Sequence, residues 1–241
     1  MLALKKKFLF VHIPKVAGQS IEKTLMAIFD DLPERNELLL KPNLNPLKGP
    51  PRLAHLTAQE YIRCGYIDQA SFDNIYKFAF VRNPWERLVS EFNYRKSLGL
   101  EKYQCSFRRF VMDGFPTKFD DDYVNARDLF RHVIPQSSFL FDKDGELLVD
   151  FIGRFERLQA DFSIVCKKLG VEETELMREN ITKLQKSNSF FAWLANRFIK
   201  DTSKDIKQHY SQYYDNETEQ KVAELYRQDI VNFGYTFEAQ N

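Results

Sequence analysis

Cysteine is scarce in this chain: only Cys64, Cys105 and Cys166 occur among 241 residues. An odd, widely scattered set excludes a disulfide framework and offers no metal-ligand spacing, so free thiols in a reducing compartment are expected. Nine glycines are present, but neither G-x-G-x-x-G nor G-x-x-x-x-G-K-[ST] is formed. That argues against a dinucleotide Rossmann site and a Walker A loop. An excess of one charge is missing too. Lys and Arg number 35 against 34 Asp and Glu, a net charge of +1. Global charge therefore gives no reason to expect nucleic acid or an acidic membrane as partner, and any basic patch is local. Long apolar runs are absent: Lys5 to Lys7 precede a nearly apolar stretch, residues 8–13, that is shorter than a signal-peptide core. Nothing approaches the roughly 20 apolar residues that span a bilayer. A soluble, cytoplasmic chain with no transmembrane segment is the expectation.

What the chain does have is core-forming material, 44% hydrophobic residues with 22 Phe and 11 Tyr. This suffices for one domain over residues 1–241. There are no internal repeats and no clear domain boundary. Two stretches stand out, FLFVHIPKVAGQS (8–20) and FAFVRNPWERLVS (78–90). Each reads as a buried strand, a turn carrying a cation (Lys15 or Arg82) and the start of an amphipathic helix. Ile21, Leu25, Ile28 and Phe29 mark one face of the first helix. Asn83 and Pro84 suit the cap and first position of the second, whose buried face is Trp85, Leu88, Val89 and Phe92. Ser90 lies at the edge of that stripe. Helix N-termini favour anions because their first N–H groups are unpaired and the helix dipole is positive there. Two such starts suggest a ligand with two separate anionic groups.

Elsewhere the pattern is thinner. Residues 31–52 carry five of the nine prolines, a long loop of the kind that is usually functional or disordered. Thr57 is read as the N-cap of a short helix with Glu60 in its first turn. Phe107, Phe110 and Val111 suggest a short helix. Residues 139–141 and 147–152 read as a strand pair around the turn Asp142 to Gly145. Leu158, Phe162, Val165 and Leu169 mark a helix stopped by Gly170. The stretch 180–211 is polar and without clear period, and residues 218–233 read as one amphipathic helix closed by Gly234.

Together the two stretches resemble the signatures of the PAPS-dependent sulfotransferases, PAPS being 3′-phosphoadenosine-5′-phosphosulfate. More closely they resemble the branch of Golgi carbohydrate sulfotransferases and their bacterial relatives. The first signature, similar to H-I-P-K-T-G-G-T-S, is matched by residues 12–20, with Val16, Ala17 and Gln19 in place of Thr, Gly and Thr. The second, similar to F-V-R-[DN]-P-x-x-R-L-V-S, is matched by residues 80–90. Further likeness lies in DFIGRFERL (150–158) and in the YY…DI…FGY ending (213–237).

The resemblance implies an α/β fold, a central mainly parallel sheet flanked by helices and similar to P-loop kinases. It implies sulfuryl transfer from PAPS to a hydroxyl, on a carbohydrate or another hydroxylated acceptor, with no metal required. Lys15, Val16, Ala17, Gly18, Gln19 and Ser20 would hold the 5′-phosphosulfate, with Lys15 as electrostatic catalyst. Arg82 and Ser90 would bind the 3′-phosphate. His55 falls about where related enzymes place a catalytic histidine, and an imidazole suits a general base near neutrality. Glu60 and Glu91 are runner-up bases, more simply read as solvent-facing. His12 reads as structural; His132 and His209 receive no role. Arg154, Glu156 and Arg157 read as salt-bridged structure, and Tyr210, Tyr213 and Tyr214 as packing. Residues 31–52 would form a wall or lid of the acceptor site. Two other readings keep the same fold, a nucleotide-dependent phosphotransferase and a catalytically impaired nucleotide binder.

Overall fold

The computed structural model describes residues 1–43, 48–125, 127–177 and 209–239. In chain order the strands are β1 (Leu2–Ala3), β2 (Phe8–Val11), β3 (Tyr76–Val81), β4 (Asp121–Asp122), β5 (Arg127–Asp128) and β6 (Phe151–Arg154). The first helices are α1 (Gly18–Ile28), α2 (Arg35–Leu38), α3 (Ala58–Arg63), α4 (Gln69–Asp73) and α5 (Pro84–Ser97). Then come α6 (Phe107–Met112), α7 (Leu129–Val133), α8 (Ser137–Leu140), α9 (Leu158–Leu169), α10 (Asn216–Leu225) and α11 (Arg227–Phe233).

The central sheet has the order β1-β2-β3-β6, with β2, β3 and β6 parallel and β1 an antiparallel edge. Both β2 and β3 are apolar at almost every position because helices cover both faces. Their registers align Phe10 with Phe78 and Phe78 with Phe151. The Phe10 and Phe78 rings stack at 5.2 Å. Gly153 faces Phe80 so closely that a Cβ would lie 2.4 Å from the ring, which fixes glycine there. All three parallel strands end on the same edge, and the 12–18, 82–84 and 155–157 segments follow them there. The α/β expectation, a mainly parallel sheet flanked by helices, is the fold observed.

Helix α5 is capped as its sequence implies: Asn83 Oδ1 accepts from the Trp85 N–H at 3.1 Å, and Pro84 opens the helix. Thr57 and Glu60 form a reciprocal capping box at the start of α3. Gly170 and Gly234 close α9 and α11 in left-handed geometry.

Two expectations are corrected. Residues 139–141 and 147–152 do not form a strand pair; one bridge, Phe141 to Leu147, joins them. Residues 137–140 are helical because the Asp229 carboxylate accepts the Gln136 and Ser137 N–H groups, each at 2.7 Å. Residues 151–154 pair instead with β3. The single helix expected over 218–233 begins at Asn216 and breaks at Tyr226, fully buried with its hydroxyl donating to the Val133 carbonyl at 2.8 Å.

Most of the polar stretch 180–211 lies outside the described residues, as do 44–47 within the Pro-rich segment. Around them that segment is pinned. Ala54 N–H donates to Leu39 O at 2.8 Å, Asn43 N–H to Pro51 O at 2.6 Å, and Leu39 is fully buried. Among the described residues no helix is long and apolar enough to cross a membrane.

Candidate active site

The turn after β2 is shaped by two non-glycine residues in left-handed conformation, Lys15 (φ 69°) and Ala17 (φ 65°). Ala17 caps α1: its carbonyl accepts from the Ser20 and Ile21 N–H groups at 3.0 and 3.2 Å. The Gly18 and Gln19 N–H groups are first-turn donors that the helix itself does not use. Gly18 has no room for a side chain, since a Cβ would sit 1.9 Å from the His12 ring. Val16 is fully buried, so its side chain belongs to the core, whereas Gln19 is exposed.

Arg82 comes against this turn from the end of β3. Its Nη1 donates to the Lys15 carbonyl at 3.2 Å and its Nη2 to Glu86 at 2.8 Å, while the guanidinium stacks 3.9 Å above the Phe155 ring. Its Nε is buried and has no partner among the described residues. Gln136 grips the Arg82 backbone from both sides, accepting its N–H at 2.9 Å and donating to its carbonyl at 2.8 Å. Glu86, Ser90 and Tyr94 fall four residues apart on α5 and so share a face. Arg82 meets the first of them, and the Lys15 ammonium sits 4.0 Å above the ring of the last. Ser90 lies between these two on that face. Burial, aided by Arg82 and Arg95 and opposed by Glu91, lowers the Lys15 ammonium to about 8.

A second stripe of α5, Arg87, Glu91 and Arg95, is buried and polar. Arg87 donates to the carbonyls of Pro14, Ile134 and His132 at 3.0, 3.0 and 2.8 Å, tying the Lys15 turn to α7. Glu91 accepts from Arg95 at 2.7 Å and faces His132 at 3.2 Å. It is not solvent-facing; α5 is covered on this side by α7. Burial would raise its carboxyl, but His132 and Arg95 prevail and leave it lowered to about 2. Glu60, also expected in solvent, is buried in a two-point pair with Arg131 at 2.8 and 2.9 Å.

His55 follows the Pro-rich segment in left-handed conformation (φ 64°), half-buried, its Nδ1 2.9 Å from the His12 carbonyl. That carbonyl can only accept, so Nδ1 carries a proton, and in the neutral ring Nε2 is the bare nitrogen. Three imidazoles stand in a row, His12 to His55 at 4.5 Å and His55 to His132 at 4.9 Å between ring centroids. Glu22 closes one end through a short contact with His12, and Glu91 and Asp128 close the other on His132. Burial, then the His12 and His132 charges, push the His55 imidazole well below its ordinary value. Among the described residues no group of three or more His, Cys, Asp or Glu is arranged to hold a metal ion.

The structure thus brings Lys15 to Arg82 at the ends of β2 and β3, with Gly18 and His55 against His12, Ser20 in the first turn of α1 and Ser90 on the α5 face between Glu86 and Tyr94. Sequence reasoning missed Phe155, Gln136, Arg87, Tyr94 and His132. The four-residue spacing of Glu86, Ser90 and Tyr94 was a signal; the Gln136 contact, spanning 54 residues, had none. Glu156 accepts from Asn83 N–H at 2.8 Å and from the Tyr235 hydroxyl at 3.0 Å, and Arg157 pairs with Asp161 at 3.3 Å, both structural. Arg154 donates to the Phe233 carbonyl. Tyr214 donates to Trp85 O at 2.9 Å, and its ring packs with Phe107, Tyr210 and Phe237.

Two cation-bearing turns meet at the ends of parallel strands, and the chain belongs to the sulfotransferase family: that family's profile matches residues 1–236. The chain is 31% identical over 109 residues to an uncharacterized protein of Archaeoglobus fulgidus, covering 45% of this chain and 79% of that one. It is 23% identical over 238 residues to carbohydrate sulfotransferase 10 of Xenopus laevis, covering 87% of this chain and 63% of that one. With carbohydrate sulfotransferase 14 of Homo sapiens it shares 26% over 193 residues, 67% of this chain and 44% of that one. It therefore spans less than two thirds of either carbohydrate sulfotransferase.

Proposed function

We propose that this sulfotransferase moves a sulfuryl group from PAPS to a hydroxyl of a carbohydrate, without a metal. The observation that carries the reading is the contact between the two cation-bearing turns, Arg82 Nη1 on the Lys15 carbonyl at 3.2 Å. It brings the two cation-bearing turns together, which supports a ligand with separate 5′ and 3′ anionic groups. The donor set fits such a ligand: an ammonium, a guanidinium with a buried unpartnered Nε, first-turn N–H groups and two Ser hydroxyls.

When bound, PAPS supplies an already activated sulfuryl group. Lys15, the backbone of residues 16–19 and Ser20 would hold its 5′ end, and Arg82 and Ser90 its 3′-phosphate. The Lys15 ammonium would stabilise negative charge developing on the leaving oxygen, a contribution of roughly 10²–10³ in rate for a well-placed donor. His55 would take the acceptor hydroxyl's proton at Nε2, since Nδ1 is committed to the His12 carbonyl. The pinned ends of segment 31–52 favour a wall of the acceptor site over a moving lid; unchanged limited proteolysis on adding nucleotide is the expected result, and strong protection would favour the lid.

The test is calorimetric binding of adenosine 3′,5′-bisphosphate against AMP and ATP, for wild type and Arg82→Ala. Preference for the bisphosphate, lost in the variant, is expected, followed by turnover of labelled PAPS on carbohydrate acceptors that Lys15→Ala abolishes. Equal affinity for all three nucleotides would overturn the reading.

A further inference from the structure

His132, given no role by the sequence, occupies an unusual position. Its Nδ1 lies 3.2 Å from the Glu91 carboxylate and its Nε2 3.5 Å from Asp128. A neutral imidazole has one donor and one acceptor nitrogen, and the acceptor would face a carboxylate lone pair. Only the doubly protonated ring satisfies both neighbours. Arg95 completes the group, donating to Glu91 at 2.7 Å and to Asp128 at 3.0 Å, so two cations and two carboxylates neutralise one another. The His132 side chain is almost fully buried. Arg87 grips the His132 carbonyl, and His132 is the next-to-last residue of α7.

The His132 ring meets His55 edge to face, with an interplanar angle of 76°. We propose that His132 is a fixed imidazolium that keeps the neighbouring His55 in its singly protonated form, acting as a positioning residue for the base. A standing positive charge 4.9 Å away opposes a second proton on His55, whose Nε2 then stays open to accept one from a hydroxyl. The other groups facing His55 do not cancel this. His12, on its far side and backed by Glu22, pushes His55 the same way and more strongly, and Asp128 is itself engaged by Arg95 and His132. The direction of titration agrees: His132 is raised by Glu91 and Asp128 against its burial, and His55 is lowered. The proposal rests on the reading of His55 as the base only for its consequence in catalysis; the charge relation between the two rings stands without it.

The experiment follows the imidazole nitrogens by ¹⁵N NMR titration of the ligand-free protein, in wild type, His132→Asn and His132→Lys. In wild type, His132 is expected to hold both protons through neutral pH, with His55 still singly protonated below pH 6. The asparagine variant should move the His55 midpoint up by about one pH unit or more, a tenfold change in proton affinity, and the lysine variant should restore it. The acid limb of kcat/KM should move with it. A neutral His132 at pH 7, a His55 midpoint at its ordinary value in wild type, or equal shifts in both variants would overturn the proposal. The wild-type titration decides even where a variant fails to fold. Full activity in His55→Ala would instead refute the base reading and leave the NMR result standing on its own.

Discussion

Replacing Glu91 by Gln keeps the side chain's shape and removes one charge from the two cations it serves. The folded-state carboxyl is lowered from 4.5 to about 2, because His132 and Arg95 outweigh the penalty of burial. That displacement corresponds to about 3 kcal/mol of stability at pH 6. It agrees with the ~3–5 kcal/mol typical of unpairing one member of a buried ion pair. The folded carboxyl is more acidic than the unfolded one, so on acidification the unfolded chain takes up its proton first. The contribution is complete well above the unfolded value of 4.5 and falls as pH drops towards 2, with about a quarter of it gone by pH 4. Urea unfolding followed by circular dichroism near pH 6 and near pH 4 measures this, in a range where His132 keeps its charge. Glu91→Gln should unfold about 3 kcal/mol more easily near pH 6, and the gap should narrow by just under 1 kcal/mol near pH 4. A variant within about 0.5 kcal/mol of wild type near pH 6, or a gap that widens with acid, would refute the reasoning.

Three further outcomes are expected. Ala17→Gly relieves a left-handed alanine and should stabilise the fold by about 0.5–1 kcal/mol, read as a Tm rise of roughly 2–4 °C; a lower Tm would contradict the strain. Lys15 titrates at about 8, so adenosine 3′,5′-bisphosphate should bind with proton uptake near pH 8 and lose affinity above it; pH-independent binding in calorimetry would exclude Lys15 from the seat. Glu86→Gln releases Arg82 from a carboxylate at 2.8 Å and should tighten bisphosphate binding about threefold to tenfold, whereas weaker binding would mean Glu86 orients the guanidinium.

Elements that depend on neighbours in sequence were legible. The β2 and β3 strands, the Asn83 and Thr57 caps and the glycine stops at 170 and 234 follow from local chemistry, and they lie where expected. Lys15 and Arg82 stand in the turns that lead into α1 and α5, whereas Ser90 lies in the middle of α5. What failed was non-local. An amphipathic reading assigns one apolar stripe to the core and the rest to water, yet α5 buries Arg87, Glu91 and Arg95 as well. The helical turn at residues 137–140 is organised by Asp229, 92 residues further on, and no short window could show it. His132 looked featureless because much of its meaning lies in Glu91 and His55, brought from two other segments to a helix that Asp128 caps.

The pairing of β2 with β3 has a consequence for how the protein changes over time. Adjacent strands in a sheet are about 4.8 Å apart, a spacing set by backbone hydrogen bonds. The Lys15 and Arg82 turns leave neighbouring strands in fixed register, so the sheet acts as a ruler for the distance between them. Segment 31–52 and the β4–β5 hairpin are attached outside that ruler. On the proposed reading, insertions and substitutions there would reshape which acceptor is admitted while the Lys15 and Arg82 turns keep their spacing. Lineages of this fold are thereby free to diversify one partner of the reaction and conserve the other.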